Sequence, residues 1–294
     1  MARKCLIAGC GYVGRRLARR LRTDWDVVAI VRSEESAALL RADGVTVLRA
    51  DLGGGGETGP LQSAAGNAAI AYLAPPPDTG STDPRLAGFL ASLGDARPGV
   101  LLYMSTTGVY GDTAGALVTE DTVVAPSNDR SRRRVAAERS AMDWCTSRGA
   151  RCVILRVPGI YGPGRLPLER LRRGEPALRP EDAGPGNRIH VDDLVAACIA
   201  AFERPVTGFV NVGDGDYSST TVFLQRTAVL AGLPPPRLVS MAEARTRISP
   251  GMLAFLVESR RVDNRRMVHE LGVRLAYPNL DAGIAASLAE MRHE

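Results

Sequence analysis

The feature that most constrains this chain is a glycine-rich hexapeptide close to its N-terminus. It follows an apolar run, Lys4–Ala8, and opens a segment, Tyr12–Leu21, with apolar residues at helical spacing. In such a strand–turn–helix the first glycine allows a tight turn, the second lets the backbone approach a pyrophosphate, and the third lets the helix pack on the strand. The helix N-terminus adds free N–H groups and a positive dipole end. The sequence therefore predicts a dinucleotide-phosphate site at Gly9, Gly11, Tyr12, Val13 and Gly14.

Apolar runs with strand and helix spacing alternate through most of the chain before Pro158. The spacing predicts strands at Lys4–Ala8, Asp26–Val31, Val45–Arg49, Ala68–Leu73, Val100–Met104 and Arg151–Val157. It predicts helices at Tyr12–Leu21, Glu34–Arg41 and Arg132–Arg148. Strands joined by crossover helices form a parallel sheet covered on both faces. The predicted fold class is therefore α/β, a Rossmann doubly wound parallel sheet.

The pattern changes after Pro158, because Gly, Pro and Arg are frequent from there to Asn187. Regular patterns return at Asp192–Phe202 and Gly208–Val212, and a mostly helical tail follows. This predicts a smaller C-terminal cap domain whose segments are interleaved with the last sheet elements. We expect residues 1–160 plus about 188–213 to form the NAD(P)-binding domain, and about 161–187 plus 214–294 to form the cap.

The residues at the end of the second predicted strand indicate whether the chain binds NAD or NADP. NAD-binding proteins carry Asp or Glu there, which hydrogen-bonds the ribose hydroxyls. This chain has Val31, Arg32 and Ser33 instead. Arginine can fork onto a 2′-phosphate and Ser33 can add a hydroxyl, so we expect NADP, with NAD as the alternative if Arg32 is only a solvated loop residue. Asp51 and Leu52 follow the third strand and could flank the adenine, although Asp51 could equally cap the next turn.

Composition argues against several other classes of protein. Hydrophobic residues make up 45% of the chain and charged residues 23%, and no apolar run is long enough to span a membrane. The N-terminal apolar run is too short for a signal peptide, so we expect a cytoplasmic protein whose five cysteines are reduced. No spacing of cysteine or histidine predicts a metal site. The two short basic runs lack interleaved aromatic residues, which argues against nucleic-acid binding.

Four motifs together resemble the extended short-chain dehydrogenase/reductase superfamily, in its NAD(P)-dependent epimerase/dehydratase branch. They are Gly9–Gly14, Ser105–Gly111, Arg156–Gly164 and Arg188–Leu194. In finer detail, Arg188–His190, Ser249–Met252 and Glu258–Arg261 resemble a bacterial group of atypical, sugar-nucleotide-epimerase-like members. The resemblance implies a substrate cleft between the C-terminal edge of the sheet and the cap. It also places five residues along the cofactor, namely Leu73, Ala74, Pro75, Val157 and Pro158.

The resemblance further implies where catalysis takes place. Thr106 lies where the family carries a catalytic Ser or Thr, unless its hydroxyl only satisfies backbone at the strand end. The family's catalytic Tyr and Lys correspond here to Arg130 and Arg134. Arginine cannot release a proton near neutral pH, so Arg130 cannot be the general acid or base. Arg134 could still hold the ribose, or both arginines could be a solvated helix start, and Tyr110 or Tyr161 could replace the missing acid.

We expect a small-molecule substrate to contact Tyr161, Arg165 and His190. Arg165 belongs to the Gly, Pro and Arg-rich stretch whose counterpart in the family covers the substrate, where arginines would suit phosphate or carboxylate if they are not merely solvated. His190 either makes a structural hydrogen bond or contacts the substrate. The net charge of +5 is compatible with an anionic ligand. The resemblance also implies a homodimer through the long helix, although its basic first turn could repel its symmetry mate.

These observations predict an NADP(H)-binding oxidoreductase or epimerase-like enzyme of the extended short-chain dehydrogenase type. Because the usual Tyr-Lys pair is missing, conventional sugar-nucleotide 4-epimerisation is not expected. The alternative is a non-catalytic NADP(H)-binding protein that senses redox state or regulates a partner.

Overall fold

The computed structural model describes residues 3–53, 59–247 and 259–293. Its strands are β1 (Arg3–Ala8), β2 (Trp25–Val31), β3 (Thr46–Arg49), β4 (Ala69–Tyr72), β5 (Val100–Thr106), β6 (Leu117–Val118), β7 (Arg151–Val157), β8 (Gly159–Tyr161), β9 (Ala177–Leu178), β10 (Arg188–His190), β11 (Gly208–Asn211), β12 (Leu238–Val239) and β13 (Arg261–Val262). Its helices are α1 (Tyr12–Leu21), α2 (Glu34–Ala42), α3 (Gly59–Ala65), α4 (Pro84–Ser92), α5 (Asp129–Thr146), α6 (Leu168–Arg172), α7 (Val191–Glu203), α8 (Thr220–Ala231), α9 (Met241–Arg247), α10 (Arg265–His269) and α11 (Leu280–His293). Single 3₁₀ turns span Thr107–Tyr110 and Pro180–Asp182.

Seven strands form one parallel sheet in the order β11-β7-β5-β4-β1-β2-β3. From β1 the chain winds outward through β2 to β3, and then crosses back to β4 and winds outward in the other direction. This is a doubly wound α/β sheet, so the predicted fold class is confirmed. In such sheets ligands bind outside the carboxyl ends of the strands where the winding reverses. Here that point lies between β1 and β4.

The sheet is buried on both faces, which explains why its strands read as continuous apolar runs. Alternate side chains of β1 enter different clusters: Cys5 and Ile7 pack on the α1 and α7 side, whereas Leu6 and Ala8 pack on the α3, α4 and α5 side. Period-two alternation puts successive side chains on opposite faces. The two clusters together form the core of the sheet domain.

Smaller elements pack outside this sheet and build the cap. They include three parallel two-stranded pairs, β10 with β8, β12 with β9 and β13 with β6. A separate apolar cluster joins α8, α11 and the segment after β8, through Tyr161, Leu166, Leu168, Phe223, Leu280 and Ile284. The predicted domain limits remain a prediction. The strand β8 spans the limit expected at residue 160, and β10 pairs with β8 rather than with the large sheet.

The long helix begins earlier than the sequence pattern suggests. Its first residue is Asp129 rather than Arg132, because the Asn128 side chain accepts the backbone N–H of Ser131 at 2.9 Å and caps the helix. Arg130 therefore lies inside the first turn. Within the part of the chain that the structure describes, no helix is long and apolar enough to cross a membrane, and no group of three potential ligand side chains could hold a metal ion.

Candidate cofactor cleft and adjoining cavity

A cleft of about 750 Å³ lies at the point where the sheet reverses its winding. Its walls contain all the predicted cofactor residues except Val157 and Pro158: Gly9, Gly11, Tyr12, Val13, Gly14, Arg32, Ser33, Asp51, Leu52, Leu73, Ala74 and Pro75. Val157 is buried in the core of the sheet, and Pro158 lines a second cavity described below. The cleft also contains Arg134 and Arg165, which the sequence placed at the catalytic and substrate sites.

The glycine turn has the geometry that a dinucleotide requires. Gly9 has φ +88°, and a Cβ there would stand 2.5 Å from the backbone nitrogen of Ala74, so only glycine fits. A Cβ on Gly11 would meet no atom within 4 Å, which leaves the space in front of the backbone open. A Cβ on Gly14 would stand 3.3 Å from Ile7 Cγ2, because the helix packs closely on the strand. The residues present therefore fit a bound pyrophosphate.

One end of the cleft is formed by the start of α2. Ser33 caps this helix, since its Oγ accepts the Ser36 N–H at 3.2 Å and also lies 2.9 Å from Ser36 Oγ. Arg32 is exposed and makes no hydrogen bond or ion pair with any residue in the described ranges. The neighbouring Glu34 carboxylate is occupied by Arg41 at 2.6 Å and Arg49 at 3.1 Å. Within the described ranges, Arg32 is thus a cation without a counter-charge at the end of β2.

Two residues that line this region were not predicted from the sequence. Ser36 lines the cleft one helical turn after Ser33, and this spacing was a signal that could have found it. Arg85 at the start of α4 also lines the cleft, but nothing in the sequence links α4 to the cofactor. Asp51 lines the cleft, and its Oδ1 accepts the Gly53 N–H at 3.2 Å in the turn that follows.

Arg134 lies at the opposite end of the cleft and is held rigidly. It is only 8% exposed, and its Nη1 donates to the Met104 carbonyl at 2.8 Å and to the Tyr103 hydroxyl at 3.0 Å. Burial raises the pKa of Tyr103 to about 12, so this hydroxyl stays neutral and accepts the bond. The Arg134 Nε is buried with no hydrogen-bond partner in the described structure. Arg130, one helical turn earlier, is exposed.

The two hydroxyls predicted to be catalytic have different surroundings. Thr106 is half-buried at the end of β5, and its Oγ1 accepts the Gly108 N–H at 3.2 Å, which leaves the hydroxyl proton available. Tyr110 is buried, and its hydroxyl donates to Asn211 Oδ1 at 2.7 Å and accepts from Arg156 Nη1 at 3.0 Å. Thr106 is therefore free to donate, whereas Tyr110 is already bonded on both sides.

Two of the predicted substrate residues, Tyr161 and His190, are buried. Tyr161 is 2% exposed and packs edge-on against Phe223. His190 is 1% exposed; its Nδ1 accepts the Asp192 N–H at 3.2 Å, and its Nε2 lies 3.2 Å from Ser287 Oγ. His190 itself caps α7. Burial lowers the pKa of His190, which favours the neutral ring.

A second cavity of about 290 Å³ adjoins Pro158, between the sheet and the cap. Its described lining contains no acidic residue and includes three arginines from separate parts of the chain: Arg170, Arg188 and Arg260. Thr107, next to Thr106, forms part of the same wall. The cavity therefore presents positive charge beside the end of β5.

Arg188 is the most constrained of these arginines. It is buried, and it donates to the Ser218 carbonyl at 2.8 Å and to Thr220 Oγ1 at 3.1 Å. Burial lowers its pKa to about 10, although Asp214 and Asp216 raise it. Its planar group is anchored by neutral acceptors and remains a cation at neutral pH.

The parallel sheet, the glycine turn and the cleft at the winding reversal define a Rossmann-fold NAD(P)-binding protein. The sequence profile of the NAD dependent epimerase/dehydratase family matches residues 5–213, and the chain belongs to this family. Ser249–Met252 and Glu258, which carried part of the finer resemblance, lie outside the described residues.

Known proteins resemble the chain in whole or in part. A functionally unknown conserved protein from Silicibacter pomeroyi DSS is 32% identical with a TM-score of 0.83, and the match covers 98% of both chains. MoeE5, solved with UDP-glucose and NAD, has a TM-score of 0.77 at 23% identity over 99% of both chains, which shows the shared fold. A 3-diazoavenalumate denitrifying reductase from a Streptomyces species is 33% identical over 141 residues, or 45% of each chain.

Proposed function

We propose that this protein is an NADP(H)-dependent oxidoreductase that reduces a small anionic substrate. The observation that carries the proposal is Arg32, an exposed cation without a counter-charge in the described ranges, at the end of the cleft that begins with the glycine turn. A dinucleotide with its pyrophosphate at Gly11 would extend its adenosine toward the end of β2. A 2′-phosphate there would meet Arg32, Ser33 and Ser36.

The charges around this end of the cleft support NADP(H) over NAD(H). A charge-assisted bond to phosphate contributes about 1.5–3 kcal/mol, which corresponds to a preference of roughly ten- to hundredfold. Glu34 would oppose a phosphate, but Arg41 and Arg49 neutralise it. Asp51, which lines the cleft beyond the third strand, uses one carboxylate oxygen to accept the Gly53 N–H.

The test is to titrate NADPH and NADH against the wild type and R32E by cofactor fluorescence. We expect the wild type to bind NADPH roughly ten- to hundredfold more tightly, and R32E to lose that preference. The matched control is R172E, which changes the same charge on the exposed face of α6, where Arg172 pairs with Glu169. Equal affinities of the wild type for NADPH and NADH would refute the proposal.

The nicotinamide end of the cofactor would lie near Arg134 and the end of β5. When bound, the cofactor supplies the hydride, and the protein must supply a proton to the reduced atom. Arg134 lines the cleft, and its guanidinium would hold the nicotinamide ribose in place of the family's lysine. Thr106 would donate its free hydroxyl proton to the substrate oxygen and recover one from water.

We assign Tyr110 a positioning role rather than the role of general acid. To release its proton to a substrate it would have to leave Asn211 Oδ1, and Arg156 holds its oxygen from the other side. Arg156 also pairs with Glu138 at 2.9 Å, where both side chains are buried. Because breaking this network would leave a buried charge unpaired, the network holds the Tyr110 hydroxyl in place.

The arginine-lined cavity supports an anionic substrate. Arg170, Arg188 and Thr107 all line it, and Thr107 directly follows Thr106 at the end of β5, so a carboxylate or phosphate held by the arginines would leave its reactive group near β5. The name of the Streptomyces relative states a reductase activity, which agrees with reduction as the reaction. Tyr161 and His190 would shape the cap behind the cavity without contacting the substrate.

A second candidate function is a non-catalytic NADP(H)-binding sensor, which the exposed arginine at position 130 favours. The family's tyrosine would stand there, and Arg130 stays protonated. The two functions differ in turnover: an enzyme oxidises bound NADPH when offered a panel of anionic carbonyl compounds, whereas a sensor binds NADPH and oxidises it with none. Epimerisation of UDP-glucose at C4 by the wild type would contradict both.

A further inference from the structure

The segment that leads from β8 into the cap is packed directly on the glycine turn. The Tyr12 hydroxyl donates to the Pro163 carbonyl at 2.9 Å. Gly162, with φ +152°, lies so close that a Cβ would stand 2.6 Å from the Tyr12 hydroxyl and 2.7 Å from Val191 Cγ1. The approach is possible only without a side chain at position 162. Residues 162–165, which we name the cap arm, are therefore fixed relative to the start of α1.

Arg165 ends the cap arm above this turn. Its guanidinium carbon lies 4.1 Å from the centroid of the Tyr12 ring, and the residue lines the cleft together with Gly11. Arg165 is exposed, and its backbone N–H donates to the Gly162 carbonyl at 3.0 Å, but its guanidinium makes no hydrogen bond or ion pair with another described residue. Arg16, on the next turn of α1, differs, since it pairs with Asp192 at 3.0 Å and Glu290 at 2.5 Å. Among the described residues, Arg165 thus has no ion-pair partner, and it lies beside the turn where a pyrophosphate would bind.

We infer that Arg165 is a cofactor ligand that clamps the pyrophosphate from the cap side, with Tyr12 as the platform on which its guanidinium stacks. This inference rests on the proposed binding of a dinucleotide in the cleft. Tyr12 directly follows Gly11, and the first turn of α1 has no acidic residue, so a diphosphate there meets N–H groups below and Arg165 above. Arg32 lies at the end of β2 and serves a different phosphate.

The same clamp connects the cofactor with the substrate cavity. Pro167 and Arg170, which follow the cap arm, line the second cavity. A pyrophosphate held by Arg165 would therefore hold the cap arm in place, and with it the Pro167 and Arg170 side of the cavity. The sequence placed Arg165 with the substrate because its stretch is the family's substrate cover, whereas the structure places the side chain in the cofactor cleft.

The inference is tested by measuring NADPH and NADH dissociation constants for R165Q. We expect both cofactors to bind about tenfold more weakly with an unchanged ratio, since both carry the pyrophosphate. R32E should change the ratio instead. R172Q, which removes an exposed arginine seven residues along the chain, is the matched control and should bind both cofactors like the wild type.

Adenosine 2′-monophosphate separates the two arginines further, because it carries the 2′-phosphate and no pyrophosphate. As a competitor of NADPH, it should bind R165Q as it binds the wild type and bind R32E more weakly. Replacing the platform with Y12L should reproduce the R165Q loss, and R165Q should add little to Y12L. Equal melting temperatures of the variants and the wild type would establish that the fold is intact.

Three results would overturn the role of Arg165. They are unchanged binding of both cofactors by R165Q, weaker binding of NADPH alone, or weaker binding of adenosine 2′-monophosphate by R165Q to the same extent as by R32E. A wild type that binds neither cofactor would instead refute the proposed function itself, so the two failures are distinguishable.

Discussion

Replacing Asp214 with asparagine is expected to remove a large pH dependence from the stability of the protein. Asp214 follows β11 and is only 4% exposed. Its Oδ1 accepts the Asp216 N–H at 2.9 Å, but its Oδ2 is buried without a hydrogen-bond partner in the described structure. Burial, helped by the negative charge of Asp216, raises the pKa of this carboxyl from 3.8 to about 7, although the hydrogen bond from the Asp216 N–H and the positive charge of Arg188 lower it. The folded protein therefore keeps Asp214 protonated over a range in which the unfolded chain does not.

The size and sign of the effect follow from that difference in pKa. Between pH 3.8 and about 7 the folded state binds one more proton than the unfolded state, so the free energy of unfolding falls as pH rises. Each pH unit costs about 1.4 kcal/mol, and the whole window costs about 4 kcal/mol. The stabilisation is complete below pH 3.8 and lost above about pH 7. Asparagine has nearly the same shape as aspartate but no ionisable group, so D214N removes this pH dependence.

Urea unfolding of the wild type and D214N at pH 5 and pH 8 measures this contribution. The free energy of unfolding of D214N relative to the wild type should rise by about 3 kcal/mol from pH 5 to pH 8. The wild type alone loses stability over the two pH units from 5 to about 7, at about 1.4 kcal/mol for each unit. D24N, at an exposed turn, is the control and should follow the wild type at both pH values. Parallel pH profiles for the wild type and D214N would refute the assignment of a buried, protonated carboxyl.

Two further predictions concern the cofactor turn and the proposed proton donor. G11L should fold, because a Cβ at this position meets no atom within 4 Å, yet lose measurable NADPH binding, since its side chain would fill the space for the pyrophosphate; calorimetry would check this, and near wild-type affinity would contradict it. T106V should lower the rate of NADPH oxidation by about 10²-fold or more while leaving the NADPH dissociation constant nearly unchanged, and an unchanged rate would remove Thr106 from the proton path.

The sheet was predictable because its signals are local. A strand that is buried on both faces reads as an apolar run, and crossover helices read as 3.6-residue periodicity. The start of α5 was missed by three residues, since the polar sequence after Asn128 has no apolar period and only the cap marks the boundary. The pairing of β8 with β10 was also missed, because strands of three residues carry no periodicity.

The site was predictable only where chemistry and position coincide in the sequence. Glycines in a strand–turn–helix have one dominant use, so Gly9, Gly11 and Gly14 were found together. Arg165 and Arg85 reach the same cleft from distant segments, and no motif reports this. His190 illustrates the opposite case: its chemistry suits a substrate contact, whereas the fold buries it as a cap between α7 and α11.

The motif Arg188–Leu194 explains why cofactor cleft and cap are built as one unit. Its Asp192 pairs with Arg16 on the cofactor helix, and Arg16 also reaches Glu290 on α11. Its Asp193 accepts the N–H groups of Ala276 and Tyr277 at 2.7 and 3.1 Å, which holds the chain that leads into α11. Helix α1, which begins at the glycine turn, is thus tied to α7 and α11 through a short stretch of polar residues. These contacts join elements that are far apart in sequence, so under the proposed function the positions of cofactor and substrate would depend on the same set of bonds.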